Sequence, residues 1–175
     1  MVGRQFLTRN RPSRQQRFNH RSLNKRSQIS FRIRPLHETD LADVKRLENQ
    51  CYPYPWASWL FRGALRLHMS CWVLEADGDV IGFGIAQIKQ HWAHLMNICI
   101  AANYRGLGLG RKMTLHLLTE ARQHKAAFSW LEVRPDNQVA IKLYKSLGFS
   151  IAKMRKNYYP SRRGRLPAIV MAKKL

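Results

Sequence analysis

Acidic residues are scarce in this chain. Its 175 residues hold 10 Asp+Glu against 31 Lys+Arg, a formal net charge of +21. Residues 1–34 contain no acid, and none follows Asp136. Long apolar runs are also missing. No stretch approaches the roughly 18 residues that a membrane-spanning helix needs, and the N-terminus lacks the apolar core of a secretory signal. Neither secretion nor membrane insertion is expected. Cysteine is limited to Cys51, Cys71 and Cys99, an odd number with no CxxC spacing and no histidine close enough for a zinc site. No metal is expected, and three reduced thiols in an intracellular compartment are the simplest reading. Cys71 and Cys99 sit among apolar neighbours and read as small core residues.

The residues that are present describe a globular body behind a basic tail. At 45% hydrophobic and 10% aromatic the chain is too apolar to be disordered throughout. Residues 1–28 are rich in Arg, Asn, Gln and Ser without a sustained apolar period, and read as a disordered tail. Such a tail suits salt-dependent contact with RNA or the ribosome. Its Arg- and Ser-rich, acid-free composition also fits a transit peptide, and an extended start or an inert tail is a third account. The reaction compartment is accordingly expected to be the cytoplasm, or an organelle matrix if the tail is a transit peptide.

From residue 29 the pattern alternates in type. Ile29, Phe31 and Ile33 alternate with polar residues as a strand does. Thr39-Asp40 can cap a helix with apolar Leu41, Val44 and Leu47. The proline-broken segment Tyr52-Pro53-Tyr54-Pro55-Trp56 precedes a short helix with Trp59, Leu60 and Ala64. Cys71 to Leu74 and Val80 to Lys89 read as strands joined by the turn signal Asp77-Gly78. His94 to Ala101 is a further strand, followed by a helix from Gly110 to about His124. Its apolar stripe is Met113, Leu117, Leu118 and Ala121. Ala127 to Val133 is a strand, Asp136 or Asn137 caps a last helix closed by Gly148, and Phe149–Met154 and Ala168–Met171 complete the strands. The order β-α-α-β-β-β-α-β-α-β-β makes a mixed α/β layer fold.

The strongest local motif runs from Asn97 to Lys112: a strand, then Arg105-Gly106-Leu107-Gly108-Leu109-Gly110-Arg111, then a helix. Glycines let backbone approach a ligand, and a helix's first turn offers unpaired N–H groups to an anion. The spacing is neither the dinucleotide GxGxxG nor a P-loop. Arg105, Gly108 and Gly110 do fit R-x-x-G-x-G, which resembles the pyrophosphate loop of the GNAT acetyltransferases. Downstream, Trp130-Leu131-Glu132-Val133-Arg134 and Asn137, then Ala140-Ile141-Lys142-Leu143-Tyr144-Lys145-Ser146-Leu147-Gly148-Phe149, resemble the second half of that family's core. With Asn157-Tyr158-Tyr159-Pro160 and Tyr54-Pro55-Trp56 they are more similar to the bacterial ribosomal-protein-alanine N-acetyltransferase type. The resemblance covers roughly residues 31–173 and implies a GNAT domain over 29–175. Its sheet would be mixed but mostly antiparallel, with helices on both faces.

The resemblance implies acetyl-CoA as donor and a protein N-terminus, with a ribosomal protein as the leading candidate, as acceptor. It assigns the general base to Glu132 and the general acid to Tyr144. A backbone N–H of Ile98-Cys99-Ile100 would meet the oxyanion, and Asn137 would touch the cofactor. On a strand through 127–134, Phe128, Trp130, Glu132 and Arg134 share one face, and desolvation beside aromatics is expected to raise Glu132's proton affinity. Tyr158 and Tyr159, between the last two strands, would face Tyr54 and Trp56 across a peptide slot. His91 and His94 receive no role. One departure concerns the acceptor: Ser161-Arg162-Arg163-Gly164-Arg165 stands where the family tends to have acids, which disfavours a strongly basic peptide. Acetylation of a small amine or lysine, and a non-catalytic RNA- or ribosome-binding module, are the alternatives.

Overall fold

At the turn between the first two hairpin strands, Asp77 and Gly78 both adopt positive φ, 50° and 85°, as a type I′ connection requires. They join β2 (Ser70–Ala76) to β3 (Asp79–Lys89) in the computed structural model, which describes residues 30–175. The tail assigned to residues 1–28 lies outside the described residues. β1 (Phe31–Pro35) pairs with β2, and β4 (Trp92–Ile100) with β3, all antiparallel. The other half of the sheet is β5 (Phe128–Val133), β6 (Ser150–Ser161) and β7 (Gly164–Lys174), again antiparallel, in the order β1-β2-β3-β4-β5-β7-β6. β4 and β5 are the one parallel pair among them. Parallel neighbours need a crossover, here α3 (Leu109–Gln123).

Helices cover both faces, as expected. α1 (Leu41–Cys51) and α2 (Ser58–Arg66) bury Val44, Leu47 and Phe61 against Phe83 and Ile85 of β3. Gly84, between those two, points to the opposite face, where a Cβ would stand 2.7 Å from Met113 of α3. The predicted stripe Met113, Leu117, Leu118 and Ala121 is fully buried there. α4 (Gln138–Ser146) is capped by Asn137, whose side chain accepts from the Ala140 N–H at 3.1 Å. Gly148 closes it at φ 88°.

Two expectations need correction. The last two strands are much longer than their apolar runs, because a two-strand ladder extends through Tyr159↔Leu166 to Ser161↔Gly164. Tyr158, Tyr159 and Pro160 therefore lie on β6, not between strands. Backbone pairing holds this edge ribbon together, so its side chains carry little apolar signal. The cysteines differ too: Cys51 and Cys99 form a disulfide, and Cys71 is the buried free thiol. Their 48-residue separation leaves no spacing signature. Only the packing of the α1 C-terminus on β4 brings them together.

No helix among the described residues is long and apolar enough to cross a membrane. At the start of α1, the Asp40 side chain makes no capping hydrogen bond to the helix and turns to other partners. Its carboxylate accepts from the His37 N–H at 2.9 Å and from both terminal nitrogens of Arg34, at 2.7 and 2.9 Å. Arg34 also donates to Glu75 at 2.7 Å. The guanidinium holds both carboxyls below their ordinary range. A carboxyl lowered by folding adds stability above its ordinary pKa, and that stability is lost as pH falls through the lowered value. Arg34→Met is therefore expected to reduce Tm at pH 7 and to change it little at pH 2. An equal loss at both pH values would assign the effect to packing instead.

Candidate active site

β4 and β5 pair only from Trp92↔Phe128 to Leu95↔Leu131. Directly after Leu95, the β3–β4 register shifts between Ile85 and Ala86, leaving Met96 as an extra residue. A bulge of this kind bends its strand away from a neighbour. β4 continues through Asn97 and Ile98 along β3, while β5 continues through Glu132 and Val133 along β7. The gap between them is a cleft of about 450 Å3.

The walls of this cleft unite residues that the sequence scattered. Tyr54 and Trp56 come from the loop after α1, Tyr158 and Tyr159 from β6, Asn137 and Tyr144 from the α4 region, and Ile98 from its floor. Cys99, Ile100 and the glycine loop are not among the lining residues. That loop instead shares α4 with the cleft as a common wall. Arg111 donates to Ser146 at 2.6 Å, and a Cβ on Gly110 would lie 3.6 Å from Leu143.

The loop's backbone fits a diphosphate. Gly106 and Gly108 sit at φ 78° and 75°, and a Cβ on either would meet nothing within 4 Å. The first hydrogen bond of α3 runs from Lys112 N–H to Gly108 carbonyl at 3.0 Å. The amides of Leu109, Gly110 and Arg111 are thus left to an external acceptor. Leu107 is exposed and Leu109 is buried. The arginines behave differently from the simple expectation of phosphate ligands. Arg105 folds back onto the Ile100 carbonyl at 2.9 Å, bracing the end of β4, and Arg111 is engaged with α4.

Residues 34–149 match the Acetyltransferase (GNAT) family. The chain belongs to that family. It is 38% identical over 140 residues to the ribosomal protein bS18-alanine N-acetyltransferase of Escherichia coli strain K12, covering 80% of this chain and 95% of that protein. The N-alpha-acetyltransferase of Sulfurisphaera tokodaii is 29% identical over 143 residues, covering 74% and 86%. The solved structure of the ribosomal-protein-S18-alanine N-acetyltransferase from Escherichia coli superposes with a TM-score of 0.77 at 36% identity, over 83% of this chain and 94% of that one. Arabidopsis thaliana Naa50, solved with the bisubstrate analogue CoA-Ac-MVNAL, shares the fold at a TM-score of 0.75 and 22% identity, covering 83% and 99%. The protein is thus an acetyltransferase with the GNAT architecture that the sequence resemblance implied.

Within the GNAT cleft, the carboxylate of Glu132 is almost fully enclosed, with 4% of its side chain exposed. Its Oε2 lies 2.7 Å from His94 Nε2, and its Oε1 accepts from Arg155 at 2.9 Å. Arg134 does not pair with it, being bound to Asp136 by two hydrogen bonds of 3.0 and 2.7 Å. The expected rise in proton affinity is corrected here. Burial does push the Glu132 carboxyl up, but hydrogen bonds from His94, Tyr158 and Arg155 outweigh burial, and the net direction is down. His94, passed over in the sequence, stacks on Trp130 with ring centroids 3.6 Å apart and planes at 6°. Its signal was the parallel register His94↔Trp130, which only the sheet creates.

Tyr144 packs edge-on against Phe149, and burial pushes its phenol up to about 12, so it stays protonated at neutral pH. Tyr52, placed by the sequence in the aromatic segment Tyr52–Trp56, donates its hydroxyl to the Ile98 carbonyl at 2.7 Å and fastens α1's end to the splayed strand. Glu48 is the second concealed acid. Only 1% exposed, it accepts from the Trp56 N–H at 2.8 Å and from the Asn97 amide at 3.1 Å, and burial pushes its carboxyl up. Lys45 donates to the Trp56 carbonyl at 2.6 Å, so the Trp56 peptide is held from both sides. Glu48→Gln replaces one acceptor oxygen by a donor, leaving a buried donor unpaired. It is expected to cost about 1–3 kcal/mol of stability, measurable by urea unfolding. No loss would mean that the loop is held without this carboxylate.

Proposed function

We propose that this protein transfers the acetyl group of acetyl-CoA to the N-terminal α-amine of a protein acceptor, a ribosomal protein being the leading candidate. The observation that carries this reading is the meeting of Glu132 and Tyr144 in one cleft walled by Tyr54, Trp56, Tyr158 and Tyr159, with the glycine loop on the far side of α4. The relatives' names support N-terminal acetylation, and the ribosomal one spans nearly its whole length.

In this reading the backbone amides of Leu109, Gly110 and Arg111, with Gly106 and Gly108 giving them room, hold the diphosphate of acetyl-CoA. Asn137 contacts it from the neighbouring wall, while Arg105 and Leu107 set the loop's shape. Acetyl-CoA supplies the activated acyl carbon. The amides of the splayed Ile98-Cys99-Ile100 segment give the negative charge on the acyl oxygen a donor. An α-ammonium has a pKa of about 8, so its deprotonation near neutral pH needs only a modest proton acceptor. Glu132 is the ionised centre on which that removal depends, and its charge attracts the ammonium into the cleft. Tyr144, kept protonated by burial, is the donor for the departing sulfur. The aromatic side chains of both loops flank an extended peptide end. Residues 1–28 add salt-dependent contact with RNA or the ribosome, and the reaction belongs to the cytoplasm.

Incubation with acetyl-CoA and a set of ribosomal proteins, followed by mass spectrometry of their N-termini, tests this reading. One or more acetylated α-amines are expected, and acetylation confined to lysines or small amines would overturn it. Glu132→Gln is expected to lower kcat by ~10²-fold or more while acetyl-CoA affinity stays unchanged. Tyr144→Phe should slow turnover at saturating substrates by at least ~10-fold. Wild-type rates from either variant would remove that residue from the mechanism.

A further inference from the structure

Glu132 has little capacity left to act on a substrate by itself. Each of its oxygens already has a partner, His94 on Oε2 and Arg155 on Oε1. Its side chain is 4% exposed, whereas that of His94 is 14% exposed. Both residues line the cleft, with the histidine as the more open of the two. An ionised carboxylate only accepts hydrogen bonds, so its contact with Nε2 fixes the histidine proton on that nitrogen. The other ring nitrogen then carries a lone pair, and among the described residues it makes no hydrogen bond. The flat stack on Trp130 fixes the ring plane.

We propose that His94 is the catalytic base that takes the proton from the acceptor's α-ammonium, with Glu132 as the positioning residue behind it. The proposal rests on the N-terminal acetyltransferase reading above and changes which atom receives the proton. Protons balance as follows. Of the three on the ammonium, one passes to the unpaired ring nitrogen of His94 and returns to solvent after turnover. The freed nitrogen pair forms the C–N bond as the C–S bond breaks and its electrons leave with sulfur. A second proton ends on that sulfur, by way of the Tyr144 hydroxyl, and the third stays on the amide nitrogen.

The surroundings agree with such a role. A lowered Glu132 carboxyl stays negative through neutral pH and keeps accepting from the ring. Arg155 and Tyr158 reach the pair from β6, Tyr144 lines the cleft from α4, and Glu48 and Arg134 line it from α1 and the end of β5. On the β3 side, the register neighbour of His94 is the uncharged Gln87. Arg155 is already bound to the carboxylate.

Steady-state kinetics of the full chain, with acetyl-CoA and a peptide that the wild type acetylates, test the idea. His94→Gln removes the proton acceptor, and His94→Phe also keeps an aromatic ring on Trp130. Both are expected to lower kcat at pH 7 by ~10²-fold with the KM for acetyl-CoA unchanged. The wild-type kcat/KM is expected to fall on the acid side, and both variants should lose that fall. NMR titration of the wild-type His94 ring should give the midpoint of that fall. Wild-type turnover in either folded variant would overturn the proposal and leave Glu132 as the base. If neither variant folds, a His94 midpoint that differs from the kinetic one overturns it equally. A wild-type enzyme that acetylates no peptide α-amine would instead overturn the proposed function, and this inference with it.

Discussion

Two parallel strands that stop touching after Leu95 and Leu131 open the cleft on which the rest of the site depends. Up to that pair, β4 and β5 share a ladder and their buried side chains tie the two halves of the sheet together. Beyond it each strand keeps only its outer neighbour, and backbone groups that would have bonded across the sheet face an open gap. The bulge at Met96 makes the parting abrupt. A continuous ladder would have filled this space with hydrogen bonds and left no room for a ligand. The GNAT family's use of the fold follows from that gap.

Once open, the gap has to be braced, and polar contacts do most of that work. Tyr52 holds the Ile98 carbonyl, Arg105 the Ile100 carbonyl, and Glu48 joins Asn97 to the Trp56 peptide. These contacts tie the α1 end and its loop to β4 without closing the cleft. On the opposite bank, Glu132 gathers His94, Arg155 and Tyr158. In a chain with so large a positive excess, two of the ten acids lie inside the cleft, each with specific partners. Burial raises the proton affinity of Glu48, while donors lower that of Glu132. Two carboxylates lining one cleft thus differ because their hydrogen-bond partners differ.

Much of the fold was legible because its signals are short-range. Alternation marked β1, the 3.6-residue stripe marked α3, and Asp77-Gly78 and Gly148 marked a turn and a helix end. All of them follow from local sterics or from one buried face. Reading failed where stability comes from pairing alone: β6, an exposed edge ribbon, outran its apolar run to reach Ser161. The site showed the same division. Glu132, Tyr144 and the glycine loop stood out through motifs, whereas His94, Tyr52 and Glu48 did not. Each has a partner 38 to 49 residues away in sequence (Glu132, Ile98 and Asn97), which no spacing rule connects to it.

By itself, then, the sequence determined the succession of strands and helices, the backbone freedom of the loop from Gly106 to Gly110, and the kinds of side chain available for acyl transfer. Those properties reside in single residues and their immediate neighbours, where φ preferences and hydrophobic period act. Tertiary structure alone decided the Cys51–Cys99 pairing, the inward turn of Arg105, and the lowered rather than raised Glu132 carboxyl. Each depends on groups delivered from other strands and helices. Hydrogen bonds and desolvation act over a few ångströms of space, and that distance is set only when the sheet closes around them.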